Sequence, residues 1–311
     1  MTGMKATILG ALLVVALLVA AVPAAAHERT LSIEIDDDAR LEIRSETEIS
    51  ADEVDFRFKA EHTSRPKLAV EVEKETENET VEVEVEIEFS ATFREVFEFE
   101  DANGNGVYDP EEALLSSVRL DNLTFAPIEV ASHSADGIVG FKVTMLGTQD
   151  GFSFGLVSYI FPSSAQINGT LVPEQAVKVD ILLEGYRFTS DTSLLGLEIR
   201  AESSVEQETE FEDGSEEVRV NIERGTAFFE WAPVAQVDGQ SVPVTAQWQA
   251  EGDRLFLYYP HGDVIVHDPM MGFKLGTSST FLNSSMIVMV GVLALTVVAL
   301  GIVVFRRKSL R

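Results

Sequence analysis

Hydrophobic and polar residues alternate along most of this chain, and that alternation predicts strands. Leu31, Ile33 and Ile35 take turns with polar neighbours, Asp36, Asp37 and Asp38 supply a turn, and Leu41 and Ile43 resume the pattern, so an opening hairpin is expected. Val54, Phe56 and Phe58 mark a third strand and Leu68, Val70 and Val72 a fourth. The polar stretch 74–80 reads as the next turn. Residues 81–89, VEVEVEIEF, set Val81, Val83, Val85, Ile87 and Phe89 on one side and Glu82, Glu84, Glu86 and Glu88 on the other. A helix scatters both sets around its circumference, so this is a strand with one buried and one wet face. The glutamate row is read as a solvated face that discourages edge-to-edge aggregation, in preference to a ladder for cations or a partner.

Further strands are expected at 125–132, 140–146, 152–161, 177–183, 194–201, 218–222, 227–231, 245–249 and 255–259. Turn residues separate them: 147–151, Asn168-Gly169, Asp213-Gly214, Asp238-Gly239 and Gly252-Asp253. Helical periodicity is nearly absent here, apart from a short turn expected near 111–116. The fold class that follows is all-β, with one or two β-sandwich-like domains. A boundary near 100–120 divides an acidic β-meander, 27–100, from a sandwich domain, 113–275. In the other reading, 27–100 is the first half of one continuous sandwich. No internal repeat is evident.

The two ends carry different apolar signals. Residues 1–26 have one basic residue, Lys5, an apolar core over 8–22 and the small residues Ala24, Ala25 and Ala26, which reads as a secretory signal peptide cut before His27. An uncleaved anchor is the alternative. Residues 286–305, MIVMVGVLALTVVALGIVVF, contain no charge. As a helix they span about 30 Å, the thickness of a bilayer's hydrocarbon core. Arg306, Arg307 and Lys308 follow at once and place the 306–311 tail on the cytoplasmic side. A single-pass membrane protein is expected, with its N-terminal region extracellular and 276–285 as a juxtamembrane linker.

Charge then narrows the partners. The 311-residue chain has 23 basic and 52 acidic residues. Setting aside Lys5, Arg306, Arg307, Lys308 and Arg311 leaves 18 basic against 52 acidic residues in the external part, a formal charge of −34. Nucleic acid and anionic lipid need a basic face and are excluded as partners. Cations, basic surfaces or a saline habitat fit instead. There is no cysteine, so an exported domain must rely on packing or metal, which fits a prokaryotic surface protein. Sequons at Asn78, Asn122, Asn168 and Asn283 are potential glycosylation sites.

The most specific chemical signal is the segment 101–112, DANGNGVYDPEE, which meets the pattern D-x-[DN]-x-[DN]-G-x5-E at every fixed position. Calcium takes six to eight hard oxygen ligands. Asp101, Asn103 and Asn105 offer side-chain oxygens, Gly106 permits the sharp turn, Val107 offers its carbonyl, Asp109 binds directly or through water, and Glu112 closes the site with both oxygens. These twelve residues resemble the loops of EF-hand and dockerin-type calcium modules. The resemblance implies a bound calcium ion; it ends with the loop, because 95–100 (EVFEFE) alternates like a strand where an EF-hand has a helix. Pro110 suits the first turn of a short following helix. The expected role of the ion is structural.

Other signals are weaker. Gly151-Phe-Ser153-Phe-Gly155 matches G-x-S-x-G, but that motif has meaning only at a strand-to-helix turn, and its flanks read as strand. His261, Asp263, His267 and Asp268 are metal-capable types, read here as a hairpin running from 255–259 through a turn to 264–267. Trp231, Trp248, Tyr258 and Tyr259 read as core or edge packing rather than a ligand face. The expectation is a non-catalytic, calcium-stabilised binding, envelope or accessory protein at the cell surface, whose partner is an extracellular or membrane protein or a glycan. The alternative is a membrane-anchored hydrolase of glycans or peptides.

Overall fold

Every strand pairing among the described residues is antiparallel, as expected of a chain whose strands follow one another through short turns. A computed structural model describes residues 30–49, 52–78, 81–204, 209–211, 216–222 and 225–275. The segments read as signal peptide (1–26), linker (276–285), membrane span (286–305) and tail (306–311) lie outside these residues, as do the Asp213-Gly214 turn and Asn283. No helix among the described residues is long and apolar enough to cross a membrane.

The first sheet begins as a meander of β1 (Thr30–Asp37), β2 (Arg40–Ile49), β3 (Asp52–Glu61), β4 (Lys67–Asn78) and β5 (Val81–Phe99), and β6 (Leu114–Arg119) pairs with the end of β5. A second sheet holds β7 (Thr124–Phe125), β8 (Glu129–Ala135), β9 (Ile138–Gln149) and β10 (Phe152–Ile160). A small hairpin of β11 (Ala165–Ile167) and β12 (Thr170–Val172) follows, and β13 (Ala176–Glu184) returns to the second sheet. The first sheet is completed beyond β5 by β14 (Leu194–Ser203), β21 (Arg254–Pro260) and β20 (Thr245–Gln249). The second sheet is completed by β15 (Thr209–Phe211), β16 (Glu217–Ile222), β17 (Gly225–Glu230), β18 (Val234–Val237), β19 (Gln240–Pro243), β22 (Val264–His267) and β23 (Met270–Leu275).

One hydrophobic core joins the two sheets, an arrangement consistent with a β-sandwich. It runs from Leu41 and Phe58 through Phe89, Val143 and Ile181 to Leu257 and Phe273. The rings of Phe93 on β5 and Phe154 on β10 meet across it, 5.6 Å apart. The stretch 100–120, where a boundary is expected, holds the loop after β5 and then β6, which pairs with β5 in one sheet, and strands on both sides of it contribute to this core.

Alternation located most of the strands, and several of the turn residues act as read. Asn168-Gly169 and Asp238-Gly239 have both residues at positive φ, as in type I′ two-residue hairpins, and Gly252 and Asp253 are also at positive φ within the four-residue loop 250–253. Several expectations need correction: the strand expected over 125–132 is split between β7 and β8, and residues 147–149, expected in a turn, extend β9. The polar stretch 74–80 is mostly strand: β4 continues to Asn78 and pairs in register with β5 through Asn78↔Val81. Residues 114–119 form a strand instead of continuing the helical turn expected over 111–116. The free edge of β5 offers this segment a ladder of hydrogen bonds that an isolated turn of helix cannot match. Residues 255–267 are not a hairpin, because β21 belongs to the first sheet and β22 to the second. The Pro260-His261-Gly262-Asp263 stretch carries the chain between sheets.

Candidate metal site

The loop 101–112 connects β5 to β6, and a β-bulge decides what lies beneath it. Phe89, Ala91 and Phe93 on β5 face the core. Opposite β14 the register then slips: Phe93 pairs with Ile199, but Glu95 pairs with Glu198, leaving Arg94 as the extra residue. From there the faces are exchanged. Val96 enters the main core, while Phe97 and Phe99 turn to the outer face of the sheet. Two phenylalanines on an outer face need cover, and the loop supplies it. Val107 and Tyr108 pack on a small cluster of Phe97, Phe99, Phe256 and Tyr258. The Tyr108 ring lies edge-on to both Phe97 and Phe99, 5.5 Å from each. Burial raises the Tyr258 phenol above its ordinary range, and the charges of Asp109 and Glu112 push the same way.

Opposite Phe97 sits Gly196, where a Cβ would come within 2.3 Å of the ring. Gly196→Ala is therefore expected to tilt Phe97 and loosen the loop's seat, costing about 1–2 kcal/mol of stability in denaturant unfolding. The same variant should leave Glu98, which faces the core, undisturbed.

Within the loop, carboxylates organise the backbone. Asp101 accepts from the N–H groups of Gly104 (2.9 Å), Asn105 (3.1 Å) and Gly106 (3.0 Å). Glu112 accepts from Ala102 (2.9 Å) and, through its other oxygen, from Asp109 (3.1 Å). Asp109 accepts from the side-chain amides of Asn103 and Asn105, each at 2.8 Å. Gly104 and Gly106 have φ of 74° and 78°, a left-handed backbone that favours glycine. The predicted ligand residues Asp101, Asn103, Asn105, Asp109 and Glu112 are thus joined in one network, and Val107 anchors the loop through its side chain. Among the described residues no three His, Cys, Asp or Glu side chains are gathered into a ready-made metal site. The carboxylates here are turned onto the loop's own N–H groups.

Directly behind the loop lies a group that alternation did not reveal. Glu98, shifted inward by the bulge, is completely buried. It accepts hydrogen bonds from the Ser116 hydroxyl (2.8 Å), the Thr189 N–H (2.8 Å) and hydroxyl (2.9 Å), the Ser190 N–H (3.0 Å) and the Ser193 hydroxyl (2.6 Å). Burial alone would raise its pKa, but the bonds from Ser193, Ser116 and Thr189 outweigh burial and hold it below the usual carboxylate range. This carboxylate ties the 189–193 segment to β5 and β6.

The other candidates are dispersed. Ser153 lies within β10 between β9 and β13, so the strand-to-helix turn that G-x-S-x-G requires is not there. His267 is buried, with Tyr259 Oη 3.0 Å from Nδ1 and the Ala232 carbonyl 2.7 Å from Nε2. Burial lowers its pKa. His261 instead lies tilted against Phe188, ring centroids 4.1 Å apart, and Asp268 reaches the buried Lys178 at 3.5 Å. Trp231 and Tyr259 are core residues, Trp248 packs against the core, and Tyr258 belongs to the cluster beneath the loop.

On the outer face of the first sheet, the glutamates are interleaved with basic residues. Glu88 meets Lys67 (3.2 Å) and Lys59 (3.5 Å), while the nearly buried Glu71 takes Arg57 (2.7 Å) and Lys59. A pocket of about 310 Å³ floored by Leu41 and Ala69 lies among them, its lysines already paired.

No protein-family model matches this chain, and no curated protein matches it in sequence.

Proposed function

We propose that this is a non-catalytic, calcium-stabilised binding or accessory protein of the cell surface, held by one C-terminal transmembrane helix after removal of an N-terminal signal peptide. The observation that carries the calcium part is the loop itself. Three carboxylates and two side-chain amides are linked within twelve residues, over an aromatic cluster that Val107 and Tyr108 of the loop help to cover. The donor set is all oxygen, as calcium prefers, and loading exchanges some N–H contacts of Asp101, Asp109 and Glu112 for the ion. Three like charges in one short loop repel one another, and a divalent cation relieves that repulsion. The ion thereby fixes the loop over Phe97, Phe99 and Tyr258.

The anchoring part rests on the uncharged 286–305 segment and its basic flank. Intact cells treated with a membrane-impermeant amine reagent test it. Labelling is expected at external lysines such as the exposed Lys274, with Lys308 unlabelled. Labelling of Lys308 in unbroken cells contradicts the orientation, and protection of every lysine between 27 and 275 contradicts surface display.

A further inference from the structure

We propose that β1 is a docking edge that takes up an extended strand from a partner protein in which apolar residues alternate with lysine or arginine. β1 ends the first sheet and pairs with β2 alone, so one side of its backbone has no described partner strand. Its core-side residues lie opposite buried ones, Ile33 across from Ile43 and Ile35 across from Leu41. Yet Ile33 is 37% and Ile35 61% exposed, and neither belongs to the core that Leu31 of the same strand packs against. An added strand bearing apolar side chains on that face continues the core by one row.

The outer face of β1 sets the partner's charge. Glu34 lies directly opposite Glu42, a like-charge pair across the ladder, and forms no ion pair among the described residues. The neighbouring cations are already engaged: Arg40 with Asp36 and Glu61, and Arg44 with Glu46 and Asp55. Lysine or arginine on the incoming strand supplies the missing counter-charge, and the chain's net charge of −29 attracts such a partner and repels a second copy.

Three other sheet edges among the described residues, β20, β8 and β15, lack this combination. The core-facing Ala246 and Trp248 of β20 already pack on the core. The positions of β8 opposite Val143, Phe141 and Val139 are Val130, Ser132 and Ser134, mostly polar. β15 is three residues long. β1 offers eight residues with apolar side chains in view, the kind of edge that proteins otherwise hide or blunt.

This inference shares with the proposed function only the premise that the protein works by binding; it needs neither calcium nor the membrane segment. The test is a titration of the purified full-length protein with a fluorescent peptide alternating lysine and valine, matched to the eight residues of β1. Hydrogen–deuterium exchange is followed with and without the peptide. The expected result is binding with new protection confined to 30–37, and at least about tenfold weaker binding of a glutamate–valine peptide. Ile33→Lys with Ile35→Lys should abolish the protection without lowering the melting temperature, because both side chains are already exposed. Glu34→Lys should narrow the preference for the basic peptide. Protection elsewhere, or equal binding by the double variant, overturns the proposal in favour of diffuse charge attraction. Slow exchange throughout 30–37 in the free protein also overturns it, since the edge is then already occupied by this chain or a second copy. None of these outcomes bears on the calcium loop.

Discussion

Glu98→Ala is expected to destabilise the protein by about 2–3 kcal/mol, the upper range for losing hydrogen bonds to a charged group. The variant takes the shared acceptor from two backbone N–H groups and three hydroxyls, although the Ser193 hydroxyl keeps the Ser190 carbonyl (2.8 Å) and the Ser116 hydroxyl keeps Tyr186 Oη (2.9 Å). Those donors belong to β6 and the 189–193 segment, so both should lose their hold on the end of β5. Urea unfolding of the variant beside the parent measures the cost. The pH dependence has a definite sign. The folded pKa of Glu98 lies below its unfolded value, so its contribution is complete above the unfolded pKa and disappears as pH falls through the folded one. Acid should therefore destabilise the parent more than the alanine variant over that interval. A variant with unchanged stability, or one whose deficit grows in acid, contradicts this account of the network.

The second large effect concerns the loop. Asp101→Ala combined with Glu112→Ala removes acceptors for the N–H groups of Ala102, Gly104, Asn105, Gly106 and Asp109, and takes two of the three carboxylates from the proposed calcium site. Without calcium the cost is expected to be modest, because most of these N–H groups can turn to water. With calcium at about a hundredfold over its dissociation constant, the parent gains about 2.7 kcal/mol by mass action and the variant gains nothing. For a domain of this size the gap in melting temperature then widens by about 5–10 °C. Thermal melts in calcium and in chelator check this. Equal gaps in the two conditions sink the idea that these side chains hold an ion.

Much of the architecture was legible because a strand with one buried face writes a period of two into its sequence. Residues 245–249 are β20 as read, and 194–201 lie within β14. The failures share a cause, since a single sequence reports local pattern and not pairing. Residues 74–78 are too polar to read as strand, yet they complete β4 because β5 lies in register beside them. Residues 255–267 read as a hairpin because both arms alternate, and nothing local says that the arms enter different sheets. The loop at 101–112 was legible because its pattern is local. The aromatic cluster beneath it and the Glu98 network behind it were not, although one signal was present. Arg94 and Glu95 are consecutive polar residues that interrupt the alternation between Phe93 and Val96, and that interruption is the bulge. Read as such, it exchanges the faces and turns FEF at 97–99 from an apparently core-facing pair into an outer cluster around an inward glutamate.

Calcium titration calorimetry on the full-length protein, beside Glu112→Gln, decides whether the 101–112 loop holds an ion. Glutamine keeps an oxygen for the Ala102 N–H and removes only the charge and the second carboxylate oxygen. The parent should show one site, with a dissociation constant of about 0.1–1 mM as in extracellular calcium modules, weakened at least about tenfold in the variant. A parent that releases no binding heat, or a site that the substitution leaves intact, contradicts calcium binding by the loop.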